Sequence, residues 1–420
     1  MKKSKWISVC MTALAAIAFA SCSDDKPDNR EDNNKPDTPE VVTEKEQIPH
    51  GVINFECDLL SALSSLGQEN ENAVVSPMSV AMALSMMTNG ADNQTRKELL
   101  ETLRIPGADV ANLNDVCRQM LDAHVSDQTT RFQLVNSLWI DSSFKVYDSF
   151  TNRLKSIFNA ETFVVDDLTS DATRNQVNQW AASSTDGVIE RLLESNLRDR
   201  TLALLNTLLF KSDWMYKFSV ENTEAGVFTN WDGSTSKVQM MHREADRKCP
   251  YSYYSGNGFK ALFMPLAGSR YSFIVVLPDN AGSARKFAED FSFDKFKALV
   301  NDPEMCLANV SLPKLKLSFG ANMNEILAKL GIVSAFDRKR ADFSAMSDTK
   351  NLAIDNVRHT SILEVDEDGV KASAATLAEM SGSDITQSKI IDFVVDRPFM
   401  FMLCSNIDSS ILFSGYVNKL

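Results

Sequence analysis

Histidine, cysteine and clustered basic charge are scarce in this chain of 420 residues, and each scarcity removes a class of function. The 4 histidines, His50, His124, His242 and His359, never fall at metal-ligand spacing with one another. The 7 cysteines, Cys10, Cys22, Cys57, Cys117, Cys249, Cys306 and Cys404, form no CxxC pair and no Cys/His ligand pattern. Neither a zinc site nor a disulfide framework is indicated, and no metal or other cofactor is expected. Buried free thiols are the expected state for the cysteines of the body. The formal net charge of -13 comes without a lysine-rich or arginine-rich cluster, which argues against nucleic acid as a partner. HExxH, GxSxG, GxxxxGK[ST] and a GxGxxG set between strand and helix are all absent. The members of a Ser-His-Asp triad need not be neighbours, so a hydrolase with an unmarked triad stands as a third reading. Nothing marks a nucleophile, and the protein is not expected to be an enzyme.

The chain opens "MKKSKWISVCMTALAAIAFASCS", with lysines ahead of an apolar run from Val9 to Ala20. That run is shorter than the ~20 residues a bilayer-spanning helix needs, so residues 1–21 read as a signal peptide. The small residues leading to Cys22 resemble a bacterial lipoprotein signal, in which the cysteine becomes the lipidated first residue. Phe19 departs from that pattern, and plain cleavage near Ala20 is the alternative. The following "SDDK" resembles an export tag of Gram-negative lipoproteins, which implies an anchor in the outer membrane with the domain facing outward from the cell surface. Residues 22–47 hold no aromatic residue and are rich in Asp, Glu, Asn, Pro and Lys. Such a stretch buries too little apolar surface to offset its ordering entropy and reads as a disordered tether. Residues 48–420 then form one large domain, because no linker-like composition interrupts them.

Within that body, "SPMSVAMALSMMTNG" opens on a serine cap with proline at the first helical position and runs apolar to Gly90, which predicts a buried helix. "DNQTRKELLETL" predicts a second capped helix, and "ANMNEILAKLG" one closed by Gly331. "FQLVNSLWI" and "TLALLNTLLF" each carry an asparagine inside an apolar run, and "YSFIVVLP" reads as a buried strand. "FVVDRPFMFML" and "SSILFSGYV" read as two strands joined by "CSNID". Helices gather in the first half and strands in the second, the order of an α+β fold.

Five segments, in order and spanning about Ile48 to Leu420, resemble serpins. They are "NAVVSPMSVAMALSMMTNGADNQTRKELLETL", "TLALLNTLLFKSDWMYKF", "LPKLKLSFGANMNEILAKLGIVSAFDRKRADFSAM", "EVDEDGVKASAAT" and "DRPFMFML…SSILFSGYV". The resemblance implies three β-sheets, eight or nine helices and an exposed reactive loop near the C-terminus. It also implies a suicide-substrate inhibitor of serine proteases, with cysteine proteases as a second target class. The protease would cleave the loop, form an acyl-enzyme, and be trapped as the loop inserts into the main sheet. A non-inhibitory relative, acting as a surface binding or structural module, is the alternative.

The resemblance places the loop's hinge at Glu367, Asp368, Gly369, Val370, Lys371, Ala372, Ser373, Ala374, Ala375 and Thr376. As a strand, this segment would face Val370, Ala372, Ala374 and Thr376 inward, with Lys371, Ser373 and Ala375 outward. No inward residue is charged. Val370 stands where such hinges usually carry Thr or Ser. Ser76, Ser79, Asn206 and His359 match a polar cluster beneath the opening sheet, the shutter, and Trp214 matches the tryptophan at its top, the breach. Counting from the hinge puts the scissile bond at Ser383–Asp384, whereas counting back from the C-terminus gives Gln387–Ser388. Met380 and Lys389 offer other cleavable positions. The protein is expected to act as a monomer. Heparin-like polyanions are not expected to activate it, since "NLNDVCRQMLDAHVSD" carries one arginine, Arg118, among Asp115, Asp122 and Asp127.

Overall fold

The computed structural model describes residues 44–197, 201–280, 282–354, 357–370 and 389–420. Among them are nine α-helices: α1 (Glu44–Leu66), α2 (Pro77–Gly90), α3 (Asn93–Thr102), α4 (Val110–Ala123), α5 (Asp148–Phe158), α6 (Asp171–Ser184), α7 (Ala284–Glu289), α8 (Phe293–Asn301) and α9 (Asn324–Leu330). One sheet holds β2 (Thr130–Asp141), β3 (Glu161–Val165), β4 (Leu202–Asp213), β11 (Leu315–Asn322), β12 (Arg358–Val365) and β13 (Gly369–Val370). The other strands are β1 (Ala73–Val75), β5 (Thr223–Thr229), β6 (Thr235–Arg243), β7 (Tyr251–Gly256), β8 (Phe259–Pro265), β9 (Tyr271–Pro278), β10 (Glu304–Pro313), β14 (Ile390–Val394), β15 (Phe399–Ser405) and β16 (Ile411–Val417). Strand β10 joins these ten into one sheet. Its first residues pair with β7, and its later ones pair with β6 and β14. The architecture is α+β, with two hydrogen-bonded sheets among the described residues.

Local chemistry accounts for the elements that place the site. Ser76 caps α2, its Oγ accepting the Ser79 N–H at 3.3 Å, and every residue from Pro77 to Gly90 is buried. Gly331 ends α9 in the left-handed region at φ 118°, a conformation costly for a residue with a Cβ. Alternation along β2 and β4 builds two cores. Leu138, Ile140, Leu202, Leu208 and Phe210 join the main core, while Trp139, Ala203 and Leu205 pack in a second core with α6. Trp139 stacks there on Phe163, and Trp180 of α6 meets both rings edge-on.

Two sequence expectations are corrected. The run "FVVDRPFMFML" is two strands rather than one. Its start pairs parallel with β10 and its end antiparallel with β9, and the chain crosses between them at Asp396–Pro398, where proline has no N–H for a ladder. Helix α1 begins at Glu44, inside the stretch read as tether. Lys45 pairs with Asp115 at 2.7 Å, and the Glu44 carboxylate accepts the Asp109 N–H. Of the cysteines described, Cys57, Cys117, Cys306 and Cys404 are buried free thiols and Cys249 is half-buried.

Candidate functional site

The acidic run after β12 folds into a tight turn because Asp366 closes it on itself. Its Oδ1 accepts the N–H groups of Asp368 and Gly369 at 3.0 and 3.2 Å, and its own N–H donates to the Gly369 carbonyl. The chain then re-enters the sheet as β13, antiparallel to both neighbours. Val370 pairs with Val365 of β12 and with Ser212 of β4, and Gly369 pairs with Asp213. Among the described residues β12 and β4 have no ladder with each other, so β13 is their one bonded link. Below Val370 lies a narrow cleft lined by Leu208 and Phe210 on one side and Ile362 and Leu363 on the other, with Val188 and Phe413 completing it.

The turn is fastened to the segment that follows β4. The Trp214 backbone N–H donates to the Asp368 carbonyl and its indole N–H to the Asp366 carbonyl, both at 2.8 Å. The Phe218 N–H donates to the Glu367 carbonyl at 3.1 Å. Glu367 is buried, and its carboxylate accepts from Thr223 Oγ1 at 2.9 Å and pairs with Lys314 at 2.7 Å. Burial alone would raise the Glu367 pKa, but these bonds bring it below the usual carboxylate value. Gly369 is required in this register, because a Cβ there would lie 2.2 Å from the Ser212 carbonyl oxygen.

The four residues expected beneath the sheet fall into two separate groups. His359 Nε2 accepts the Ser76 N–H at 3.0 Å and sits 2.6 Å from the Ser361 hydroxyl. Accepting that N–H requires an unprotonated Nε2, and burial pushes the pKa of this imidazole down to about 4. Ser76 links His359 to Ser79. Asn206 instead donates to Asn136 Oδ1 across the β2–β4 ladder, and Asn136 passes a hydrogen bond to the Phe158 carbonyl at 2.8 Å. The buried oxygens Oδ1 of Asn206 and Oγ1 of Thr207 have no hydrogen-bond partner among the described residues. Sequence reasoning missed Asn136, although both asparagines stood out inside apolar runs. It also missed Ser361, Lys217, Thr223 and Lys314, whose partners are distant in the chain.

Trp214 is buried directly after the end of β4. Val370 belongs to the main core and faces inward. Residues Lys371 to Thr376, Met380, Ser383, Asp384, Gln387 and Cys22 lie outside the described residues. Lys389 is described and exposed, with its carbonyl accepting the Leu307 N–H at 3.2 Å.

Residues 50–420 match the family model described as Serpin (serine protease inhibitor). The leukocyte elastase inhibitor of Bos taurus is 30% identical over 385 residues, covering 89% of this chain and 100% of that protein. The native structure of tengpin, a thermophilic serpin, superposes with a TM-score of 0.78 at 26% identity, covering 92% of this chain and 97% of that one. Human thyroxine-binding globulin complexed with thyroxine shares the fold alone, with a TM-score of 0.79 at 22% identity over 90% of this chain and 99% of that one. A tight acidic turn feeding one strand between two others, in a chain with these relatives, leaves a single assignment: this protein belongs to the serpin family.

Proposed function

We propose that this protein inhibits serine proteases as a suicide substrate, with cysteine proteases as a second target class. The observation that carries the reading is β13, which enters antiparallel between β4 and β12 with Val370 facing the core. In the proposed reaction the protease nucleophile adds to the carbonyl carbon of the scissile residue. The peptide C–N bond breaks, the new amine leaves with a proton delivered by the protease, and an acyl ester joins the two proteins. Released at one end, the loop extends β13 down the β4–β12 cleft. Each backbone N–H and C=O it places against those strands satisfies a buried polar group, worth about 0.5–1.5 kcal/mol net per bond. The acylated protease is carried along, and deacylation loses the race.

The hinge count favours Ser383–Asp384 as the scissile bond, since the length inserted decides where the protease ends. Lys389 is the least suited alternative, because its carbonyl is held on β10 at the root of β14. Cys22 as a lipid attachment point, holding the monomeric domain outside the cell, completes the proposal. A second reading follows from the shared fold with thyroxine-binding globulin: a serpin that binds a ligand and inhibits no protease. Mixing the protein with a panel of serine and cysteine proteases separates the two. An SDS-stable adduct supports inhibition, and clean loop cleavage without an adduct supports the binding module.

A further inference from the structure

A lysine that no motif marks sits where β13 meets β4. Lys217 lies after β4, and its ammonium pairs with Asp213 at 2.9 Å and Asp368 at 3.2 Å. Asp213 is the last residue of β4 and stands opposite Gly369 in the ladder, while Asp368 is the residue just before Gly369. One ammonium thus joins the fixed strand to the returning chain at the pair that defines the register. The backbone around it is held on both sides, for the Lys217 carbonyl accepts from Arg243 at 2.6 Å and the Phe218 N–H donates to Glu367.

We propose that Lys217 is a positioning residue that sets the resting register of the reactive-loop hinge, holding Gly369 against Asp213 and Val370 against Ser212 before any protease arrives. The register matters because a slip of one residue would turn every following side chain to the opposite face. Besides the bonds from Trp214, Phe218 and Lys314, two constraints act at the register itself. The backbone of β4 excludes a Cβ at Gly369, so only glycine fits opposite Asp213. The ammonium then ties the turn to that position. Burial acts to lower the pKa of Lys217, but its bonds to both carboxylates raise it overall, so the charge is present throughout the neutral range. The two pairings are unequal. The Asp213 side chain is 8% exposed and that of Asp368 is 68%, so the Asp368 contact is the one that can be removed without orphaning a buried charge.

The proposal deepens the inhibitory reading, but its test uses no protease, so the two fail separately. Hydrogen exchange at the Gly369 and Val370 amides is measured in the full chain, with amides of β2 and the lower part of β4 as internal controls. Asp368→Asn is expected to speed exchange at Gly369 and Val370 about 1.5- to fivefold, the range of an exposed ion pair, with the controls unchanged. Raising salt to 1 M should produce the same change in the unsubstituted protein and little in the variant, because the screening length falls to about 3 Å. Lys217→Met should give a larger acceleration, and Lys217→Arg should restore protection. Unprotected amides at Gly369 and Val370 in the unsubstituted protein would overturn the proposal. So would unchanged exchange in Asp368→Asn, or acceleration spread equally over β2 and β4 in Lys217→Met.

Discussion

Asn206 of β4 lies in register with Asn136 of β2 and donates its amide N–H to the Asn136 oxygen, while its own oxygen finds no partner among the described residues. Alternation turns both side chains to the main-core face, beneath the sheet and beside α2. The pair is asymmetric, and its asymmetry can be measured. Asn136→Ala would strand the Asn206 amide and the Phe158 carbonyl together, at an expected cost of about 2–4 kcal/mol. Asn206→Ala removes the orphaned oxygen along with the donor and strands only the Asn136 oxygen, so it should cost less, about 1–2 kcal/mol. Urea unfolding of the two variants decides this, and equal losses would mean that the hydrogen bond to Phe158 contributes nothing.

His359 makes stability depend on pH. Its folded pKa of about 4 lies below the ordinary value of 6.5 because the ring is fully buried. The unfolded chain therefore takes up the proton first as pH falls. The contribution is present above pH 6.5 and is lost progressively down to about pH 4, amounting to up to about 3 kcal/mol. Buried Glu56, whose pKa is raised by desolvation, acts in the opposite direction over acid pH. The comparison must therefore be made against His359→Gln, which shares Glu56. Urea midpoints at pH 7.0, 5.5 and 4.5 should converge for the two proteins as pH drops. A constant gap between them would show that the ring is not held neutral by burial.

Much of this arrangement can be read from sequence where a local rule operates. Ser76-Pro77 announces α2, Gly331 closes α9, and the unbroken apolar run of β9 is buried along its whole length. Gly369 after the acids marks where the chain re-enters the sheet, and Val370 faces the core. What escapes is set by contacts across long stretches of chain. Two residues are too few to show a period, so β13 has no signature of its own. Lys217 and Lys314 look like ordinary surface charges until the turn at Asp366–Asp368 is brought to them. The break between β14 and β15 is marked only by Asp396, Arg397 and Pro398 inside a run whose apolar content continues on either side. His359 and Asn206 do not share one cluster, because His359 accepts from the distant Ser76 N–H while Asn206 donates across the sheet to Asn136.

Anchoring at Cys22 predicts membrane association that needs no folded contact. A flexible tether over residues 22–43 would have a typical end-to-end distance of roughly 23–28 Å, enough to hold the domain clear of a bilayer. Cys22→Ala should move the protein from the membrane fraction to the soluble one, with inhibitory behaviour and melting temperature unchanged. Retention in the membrane fraction by a variant that carries no lipid would refute the anchor.

The insertion mechanism makes opposite demands on neighbouring residues of the loop. Val370 enters the main core beside Leu208, Phe210 and Leu363, so a strand continuing from it would turn Ala372 and Ala374 the same way and Ser373 and Ala375 outward. Ala374→Arg should then convert the inhibitor into a substrate. Once the loop is cut, the guanidinium would have to pass between the sheet and the core without a partner, at a cost of several kcal/mol. Insertion would slow while deacylation kept its rate, and intact protease would be released. Ala375→Arg sends its charge to the other face, where it can stay in water, and should be far milder. The measurement is the number of inhibitor molecules consumed per protease inactivated, with the melting temperature of the uncut protein as control. That number should rise at least about tenfold for Ala374→Arg, which corresponds to about 1.4 kcal/mol between the competing barriers, and by less than about twofold for Ala375→Arg. Equal effects from the two substitutions would mean that the cleaved loop does not enter the sheet as an alternating strand.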